Sequence, residues 1–153
     1  MMKRRTLMTA LPLLAGATLL PAAAQPAPLR RAIPKTGERI AAIGLGTWLT
    51  FDVGDEIVAR TRRLDVLRAF FDAGGGMIDS SPMYGRAERL LGELLPQVEH
   101  GGRLFAATKV WTAFARVGPT QMAESLRLWG PGGDGRVPGA GSRRFDLMQV
   151  HNL

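Results

Sequence analysis

Cysteine is absent from the 153-residue sequence. Disulfide bonds and thiolate metal sites are therefore excluded, and the chain would suit an oxidising compartment without depending on one. We predict no metal site. Aromatic residues make up only 7 % of the chain, and outside Lys3-Arg4-Arg5 its basic residues are dispersed apart from pairs such as Arg62-Arg63. The formal net charge of +7 therefore indicates a solvated surface rather than a nucleic-acid-binding face.

No apolar run is long enough to cross a bilayer, which takes about 20 helical residues. The best candidate is the short run from Leu7 to Leu20, which follows Lys3-Arg4-Arg5 and precedes small residues before Gln25. This pattern predicts an export signal peptide over residues 1–24. A twin-arginine signal and a general secretory signal both remain open. Either one predicts a periplasmic or otherwise exported protein, with no stable membrane insertion once the signal is removed.

The rest of the chain has the composition of one globular domain. Hydrophobic residues make up 46 % of the whole sequence and charged residues 22 %, as in ordinary folded proteins. Prolines and arginines over residues 25–32 predict a linker. The domain is predicted to follow over residues 33–153. A glycine-rich stretch over residues 130–142 predicts a flexible insertion, because compact α/β units connect their elements with only a few residues.

Short apolar runs alternate with helical patterns along this domain. Helices are predicted around Leu64–Phe71, over Leu90–Val98 and from Pro119, the second with the clearest helical periodicity. The predicted strands are Ile40–Gly46, Met77–Ile78, Leu104–Thr108 and Phe145–Val150. Such alternation predicts an α/β fold with a parallel sheet.

Polar residues with complementary chemistry follow these strands. Asp79 and the only tyrosine, Tyr84, come after the second strand, Lys109 after the third and His151 after the fourth. The carboxyl ends of parallel strands share one edge, where catalytic loops converge. A carboxylate, a phenol, an ammonium and an imidazole at one edge can transfer a proton to a carbonyl oxygen.

A structural interpretation is also open for each residue taken alone. Asp79 could satisfy turn amides, Tyr84 could pack by its ring, Lys109 could be solvated and His151 could bond to nearby backbone. Their order and the motifs around them favour the catalytic interpretation.

Four motifs, in order, make the chain from about Ile33 resemble the N-terminal half of an aldo/keto reductase. The second motif is the most specific, because it fixes an acid five residues before a tyrosine that precedes a glycine. The motifs are Gly44-Leu45-Gly46-Thr47-Trp48, Ile78-Asp79-Ser80-Ser81-Pro82-Met83-Tyr84-Gly85, Ala107-Thr108-Lys109-Val110-Trp111 and Met148-Gln149-Val150-His151-Asn152. The resemblance implies a parallel (β/α)₈ TIM-barrel fold, and an enzyme that reduces aldehyde or ketone carbonyls with NADPH.

The residue types fit that reaction. A phenol is a weak acid at neutral pH, and a neighbouring ammonium stabilises its phenolate form. Tyr84 is therefore the predicted proton donor, assisted by Lys109, with Asp79 holding the lysine and His151 bonding to the substrate oxygen. The cofactor is predicted to contact Gly46, Thr47, Trp48, Asp79 and Asn152.

A complete (β/α)₈ barrel takes about 250 residues, so only about its first half, four strands and three helices, is expected here. The alternative to an enzyme is a truncated, non-enzymatic half-barrel remnant. Such a remnant would expose the edges of its sheet and could self-associate through them.

Overall fold

A computed structural model describes residues 27–100, 104–130 and 144–151. The predicted signal peptide, Asn152 and nearly all of the glycine-rich stretch lie outside the described residues. The elements, in chain order, are β1 (Arg30–Ala32), β2 (Arg39–Ala41), β3 (Gly44–Gly46), α1 (Ile57–Asp72), β4 (Met77–Asp79), α2 (Ala87–Leu94), β5 (Phe105–Val110), α3 (Gly118–Trp129) and β6 (Leu147–Val150).

Strands β3 to β6 form one sheet in the order β3-β4-β5-β6, and every neighbouring pair in it is parallel. Helices α1 and α2 each connect one strand to the next, and α3 follows β5. Two neighbouring parallel strands need such a crossover connection, because a tight turn reverses the chain and would make the next strand antiparallel. The predicted parallel α/β architecture is confirmed.

The first predicted strand, Ile40–Gly46, is wrong as a single element. The structure divides it into β2, which pairs with β1 in an antiparallel hairpin, and β3, which joins the main sheet. Part of the predicted linker therefore lies in β1. The hairpin was missed because its strands are mostly exposed and arginine-rich, so they lack the apolar alternation that predicts a strand.

The other predicted strands and all three helices are present, with shifted ends. The second helix was predicted to reach Val98, but α2 ends at Leu94, and Pro96 lies in a 3₁₀ turn, Leu95–Gln97, that directly follows it. Proline cannot donate the backbone hydrogen bond that would continue an α-helix at that point. Over the described ranges, no helix combines the length and apolar character that crossing a membrane would require.

The core lies between the sheet and its helices. Ile78 in β4 and Ala106 in β5 point into it and are fully buried. All three helices contribute buried side chains, and only α2 presents a clear apolar stripe. The other buried members of this core are Phe51, Leu67, Phe71, Ala87, Leu90, Leu91, Leu94, Leu95, Val98 and Trp129.

Helices α2 and α3 approach each other closely at Gly92. A Cβ atom added to Gly92 would lie 1.8 Å from the backbone carbonyl oxygen of Leu128. A backbone atom cannot move aside as the end of a flexible side chain can. The contact between the two helices therefore depends on glycine at this position.

Candidate active site

Strand register places three polar side chains on one face of the sheet. Asp79 is the register partner of Ala107, and Lys109 is the partner of Gln149. Side chains alternate between faces along a strand, so Ala107 and Lys109 point the same way. Asp79, Lys109 and Gln149 therefore share the face opposite Ile78 and Ala106, which point to the core.

Asp79 and Lys109 form an ion pair across β4 and β5. The Lys109 Nζ atom lies 2.5 Å from Asp79 Oδ2 and also donates to the backbone oxygen of Ser80 at 3.0 Å. The Lys109 side chain is only 11 % exposed and that of Asp79 is 35 % exposed. A nearly buried ammonium needs such partners, because leaving water is costly for an unpaired charge.

Gln149 holds the other oxygen of the same carboxylate. Its Nε2 atom donates to Asp79 Oδ1 at 3.2 Å. One Asp79 oxygen is thus bound by Lys109 from β5 and the other by Gln149 from β6. This arrangement fixes the plane of the carboxylate and directs the ammonium.

Tyr84 lies in the loop after β4, above this ion pair. Its backbone N–H donates to the Ser81 carbonyl oxygen at 3.0 Å. The Lys109 Nζ atom is 5.3 Å from the centroid of the Tyr84 ring. The His151 ring is 5.9 Å away, centroid to centroid, and nearly perpendicular to it at 87°. The phenol is therefore flanked by a cation and an imidazole.

Gly85 allows the turn that follows Tyr84. Its φ is +58°, a left-handed conformation that side chains disfavour. A Cβ atom added there would also lie 2.4 Å from the Asp52 carboxylate carbon. Asp52 accepts a hydrogen bond from the Arg86 backbone N–H at 3.0 Å, which ties the loop after β3 to the start of α2.

His151 follows β6 directly and is anchored at two points. Its backbone N–H donates to the Val110 carbonyl oxygen at 2.9 Å, which extends the pairing of β6 with β5. Its ring Nδ1 atom lies 3.3 Å from the Ser81 hydroxyl oxygen. The imidazole is therefore held beside Tyr84 by both backbone and side-chain contacts.

The loop after β3 forms one flank of the site. The Thr47 side chain is fully buried, and its hydroxyl oxygen lies 3.0 Å from the Asp79 carbonyl oxygen and 2.9 Å from Ser80 Oγ. Trp48 is 63 % exposed, with its ring 6.4 Å from that of Tyr84. Thr47 thus ties two loops together, and Trp48 offers an open aromatic surface.

A buried carboxylate supports the site from the helix side. Glu88 in α2 accepts hydrogen bonds from the Thr108 hydroxyl at 2.6 Å, the Ser125 hydroxyl at 2.7 Å and the Trp129 indole N–H at 3.0 Å. Thr108 is the neighbour of Lys109 on β5. These four residues form the Glu88 cluster, which links β5 to α2 and α3 next to Lys109.

The structure brings together four of the predicted site residues, Asp79, Tyr84, Lys109 and His151. Their roles stay predictions, as do the cofactor contacts assigned to Gly46, Thr47, Trp48 and Asp79, whereas Asn152 lies outside the described residues.

The sequence did not identify Gln149 or Ser81 as residues that contact the predicted site residues. Gln149 could have been found as the polar residue of an apolar strand, two positions before His151 and hence on its face.

A model for the aldo/keto reductase family matches residues 42–131, more than half of the chain. Three solved structures illustrate the similarity. An aldo-keto reductase from Pseudomonas aeruginosa is 29 % identical with a TM-score of 0.52, over 65 % of this chain and 40 % of that one. One from Klebsiella pneumoniae, in complex with NADPH, is 28 % identical with a TM-score of 0.50, over 60 % and 32 %. The silkworm Bombyx mori enzyme AKR2E5, also complexed with NADPH, has the same identity and TM-score, over 65 % and 32 %.

The chain therefore spans about two fifths or less of the length of these three structures. Its four parallel strands and three helices match part of their α/β barrel, which confirms the predicted fold class. From the family match together with this fold, we conclude that the protein belongs to the aldo/keto reductase family.

Proposed function

We propose that the protein is an exported oxidoreductase that uses NADPH to reduce the carbonyl group of an aldehyde or ketone. The observation that carries this proposal is the position of Lys109. Its ammonium is bound to Asp79 at 2.5 Å and lies 5.3 Å from the centre of the Tyr84 ring. Export rests on the sequence pattern of residues 1–24.

The loop after β3 leaves open space beside Asp79. Gly46 is the register partner of Asp79, and a Cβ atom added to Gly46 would meet no other atom within 4 Å. The exposed Trp48 ring flanks this opening. The residues present therefore fit a flat, polar ring, and Gly46, Trp48 and Asp79 are the residues that would hold it. NADPH, when bound, supplies a hydride.

The chain's own residues manage the proton. As negative charge develops on the carbonyl oxygen, Tyr84 donates its phenolic proton to that oxygen. The Lys109 ammonium stabilises the phenolate that results, because opposite charges attract strongly in a site with little water. Asp79 keeps Lys109 in place, and His151 donates a hydrogen bond to the same substrate oxygen.

Replacing Tyr84 by Phe tests the assigned acid, since it removes the hydroxyl and keeps the ring. We expect turnover of a model aldehyde, followed as NADPH oxidation, to fall by roughly 10²- to 10⁴-fold. Binding of NADPH, followed by its fluorescence, should be unchanged, because Tyr84 acts on the substrate. Turnover equal to that of the wild type would remove Tyr84 from the mechanism.

A second candidate function is a non-enzymatic module that self-associates through its sheet. Within the described residues, β3 pairs only with β4 and β6 only with β5. Each strand therefore has one edge without a backbone partner, and Val150 on β6 is 65 % exposed. Nucleotide fluorescence that never changes at high protein concentration would favour this candidate over the oxidoreductase.

A further inference from the structure

Ser81 lies between the acid and the phenol of the proposed site and contacts the imidazole. Its residue is 1 % exposed, and its hydroxyl oxygen is 3.3 Å from His151 Nδ1. The proposed reaction does not use this hydroxyl directly, so any effect of Ser81 on it must act through the histidine that Ser81 contacts.

The other hydrogen bond of the Ser81 hydroxyl indicates which partner donates in the contact with His151. The Met83 backbone N–H donates to Ser81 Oγ at 3.3 Å, so the oxygen already acts as an acceptor. A serine hydroxyl carries one proton to donate. Over the described ranges, His151 Nδ1 is the side-chain acceptor within reach of that proton. Buried hydroxyl groups nearly always donate their proton to an acceptor, and donation to Nδ1 requires that this ring nitrogen carry no proton.

We propose that Ser81 is a positioning residue that fixes the tautomer of His151. With Nδ1 accepting from Ser81, the single proton of the neutral imidazole is on Nε2. Ser81 thereby keeps the far nitrogen of the ring as a hydrogen-bond donor. Its use, donation to a carbonyl oxygen, rests on the proposed function, whereas the tautomer itself does not.

The surrounding contacts allow the ring little freedom to escape this arrangement. The His151 backbone is bonded to Val110, and the ring stands edge-on to Tyr84 at 87°. Rotating the ring by half a turn would bring a carbon atom toward Ser81 and leave the buried hydroxyl without an acceptor. The tautomer and the orientation are therefore set by the same contact.

The tautomer of the neutral imidazole can be measured directly by ¹⁵N NMR of the histidine ring nitrogens. The chain contains only two histidines, so a His100→Gln variant identifies the His151 signals. We expect Nε2 to carry the proton in the wild type. In Ser81→Ala the two nitrogen shifts should move toward each other, as the Nδ1-protonated form becomes populated.

Two further variants sharpen the test. Ser81→Thr keeps the hydroxyl and should restore the wild-type shifts. Ser80→Ala removes the neighbouring buried hydroxyl, which bonds to Thr47 instead, and should leave the His151 shifts unchanged.

Protonation of Nδ1 in the wild type would overturn the proposal, as would identical His151 shifts in the wild type and Ser81→Ala. These readouts need neither NADPH nor turnover. If Nε2 carries the proton but the protein does not reduce carbonyl groups, the proposed function is refuted and the role of Ser81 is retained. Where turnover is measured, Ser81→Ala should lower kcat/KM by about tenfold, the effect of one hydrogen bond.

Discussion

Asp79 links the three strands that carry the site, β4, β5 and β6. It ends β4, its Oδ2 atom binds Lys109 on β5, and its Oδ1 atom binds Gln149 on β6. A carboxylate held at both oxygens cannot rotate without losing one partner. Gln149 thus helps to hold Asp79 in the orientation that binds the Lys109 ammonium.

We therefore expect Gln149→Leu to lower kcat by roughly 10- to 100-fold, since a hydrogen bond to a charged group is lost. Gln149→Glu should lower it further, because a second carboxylate would repel Asp79. Gln97→Leu is the matched control: its amide bonds to the Glu93 backbone, on an exposed turn. Steady-state kinetics of NADPH oxidation measure all three variants, and equal kcat in Gln149→Leu and Gln97→Leu would contradict the assigned role.

At this scale the sequence was informative about residues that follow strands. Asp79, Lys109 and His151 could be predicted as neighbours, because the ends of parallel strands share an edge whatever the details of packing. The hydrogen bonds of Ser81 and Gln149 could not, since they depend on strand register and side-chain rotamers. A one-residue slip of β6 would turn Gln149 to the opposite face.

Among the elements, α2 and its neighbours show why boundaries are harder to predict than types. The apolar stripe of α2 identifies the helix, and Pro96 marks the region where it ends. Nothing in that stripe distinguishes Gly92 from the other positions of α2 that lie outside it. Its importance comes from α3, which crosses α2 at this point and brings a carbonyl oxygen against it.

Gly92→Ala should consequently destabilise the protein by about 1–3 kcal/mol, the usual cost of overpacking. This is opposite to the usual effect in a helix, where alanine is favoured over glycine. Gly118→Ala in α3 is the control, because its added Cβ would meet Val110 at an ordinary 3.4 Å. Urea unfolding followed by circular dichroism gives the free energies, and a Gly92→Ala protein as stable as Gly118→Ala would disprove the close approach.

At the scale of the whole fold, the main feature is the four-stranded parallel sheet. The described part of the chain supplies partners for the inner strands β4 and β5 on both sides, but for β3 and β6 on one side only. Unpaired strand edges attract other strands, and native proteins usually cover or charge them. Both proposed functions must therefore account for what these edges contact.

If the edge of β6 recruits a second copy, the 153-residue chain should associate as its concentration rises from about 1 to 100 μM. Val150→Lys places a charge on that edge and should keep the protein monomeric. Ile57→Lys changes an apolar residue at the start of α1 that is even more exposed than Val150, and it should leave association unaltered. Sedimentation equilibrium provides the masses, and a wild-type monomer throughout this range would exclude the edge as a contact.

The Glu88 cluster has a consequence for anyone who exchanges parts between members of this family. Its carboxylate takes hydrogen bonds from β5 and, twice, from α3. A chimera whose α3 lacks counterparts of Ser125 and Trp129 would leave the buried Glu88 carboxylate without two of its hydrogen-bond donors. A chimera whose α2 lacks Glu88 would leave three donors without their acceptor. The two helices must therefore be exchanged together, along with the strand that carries Lys109.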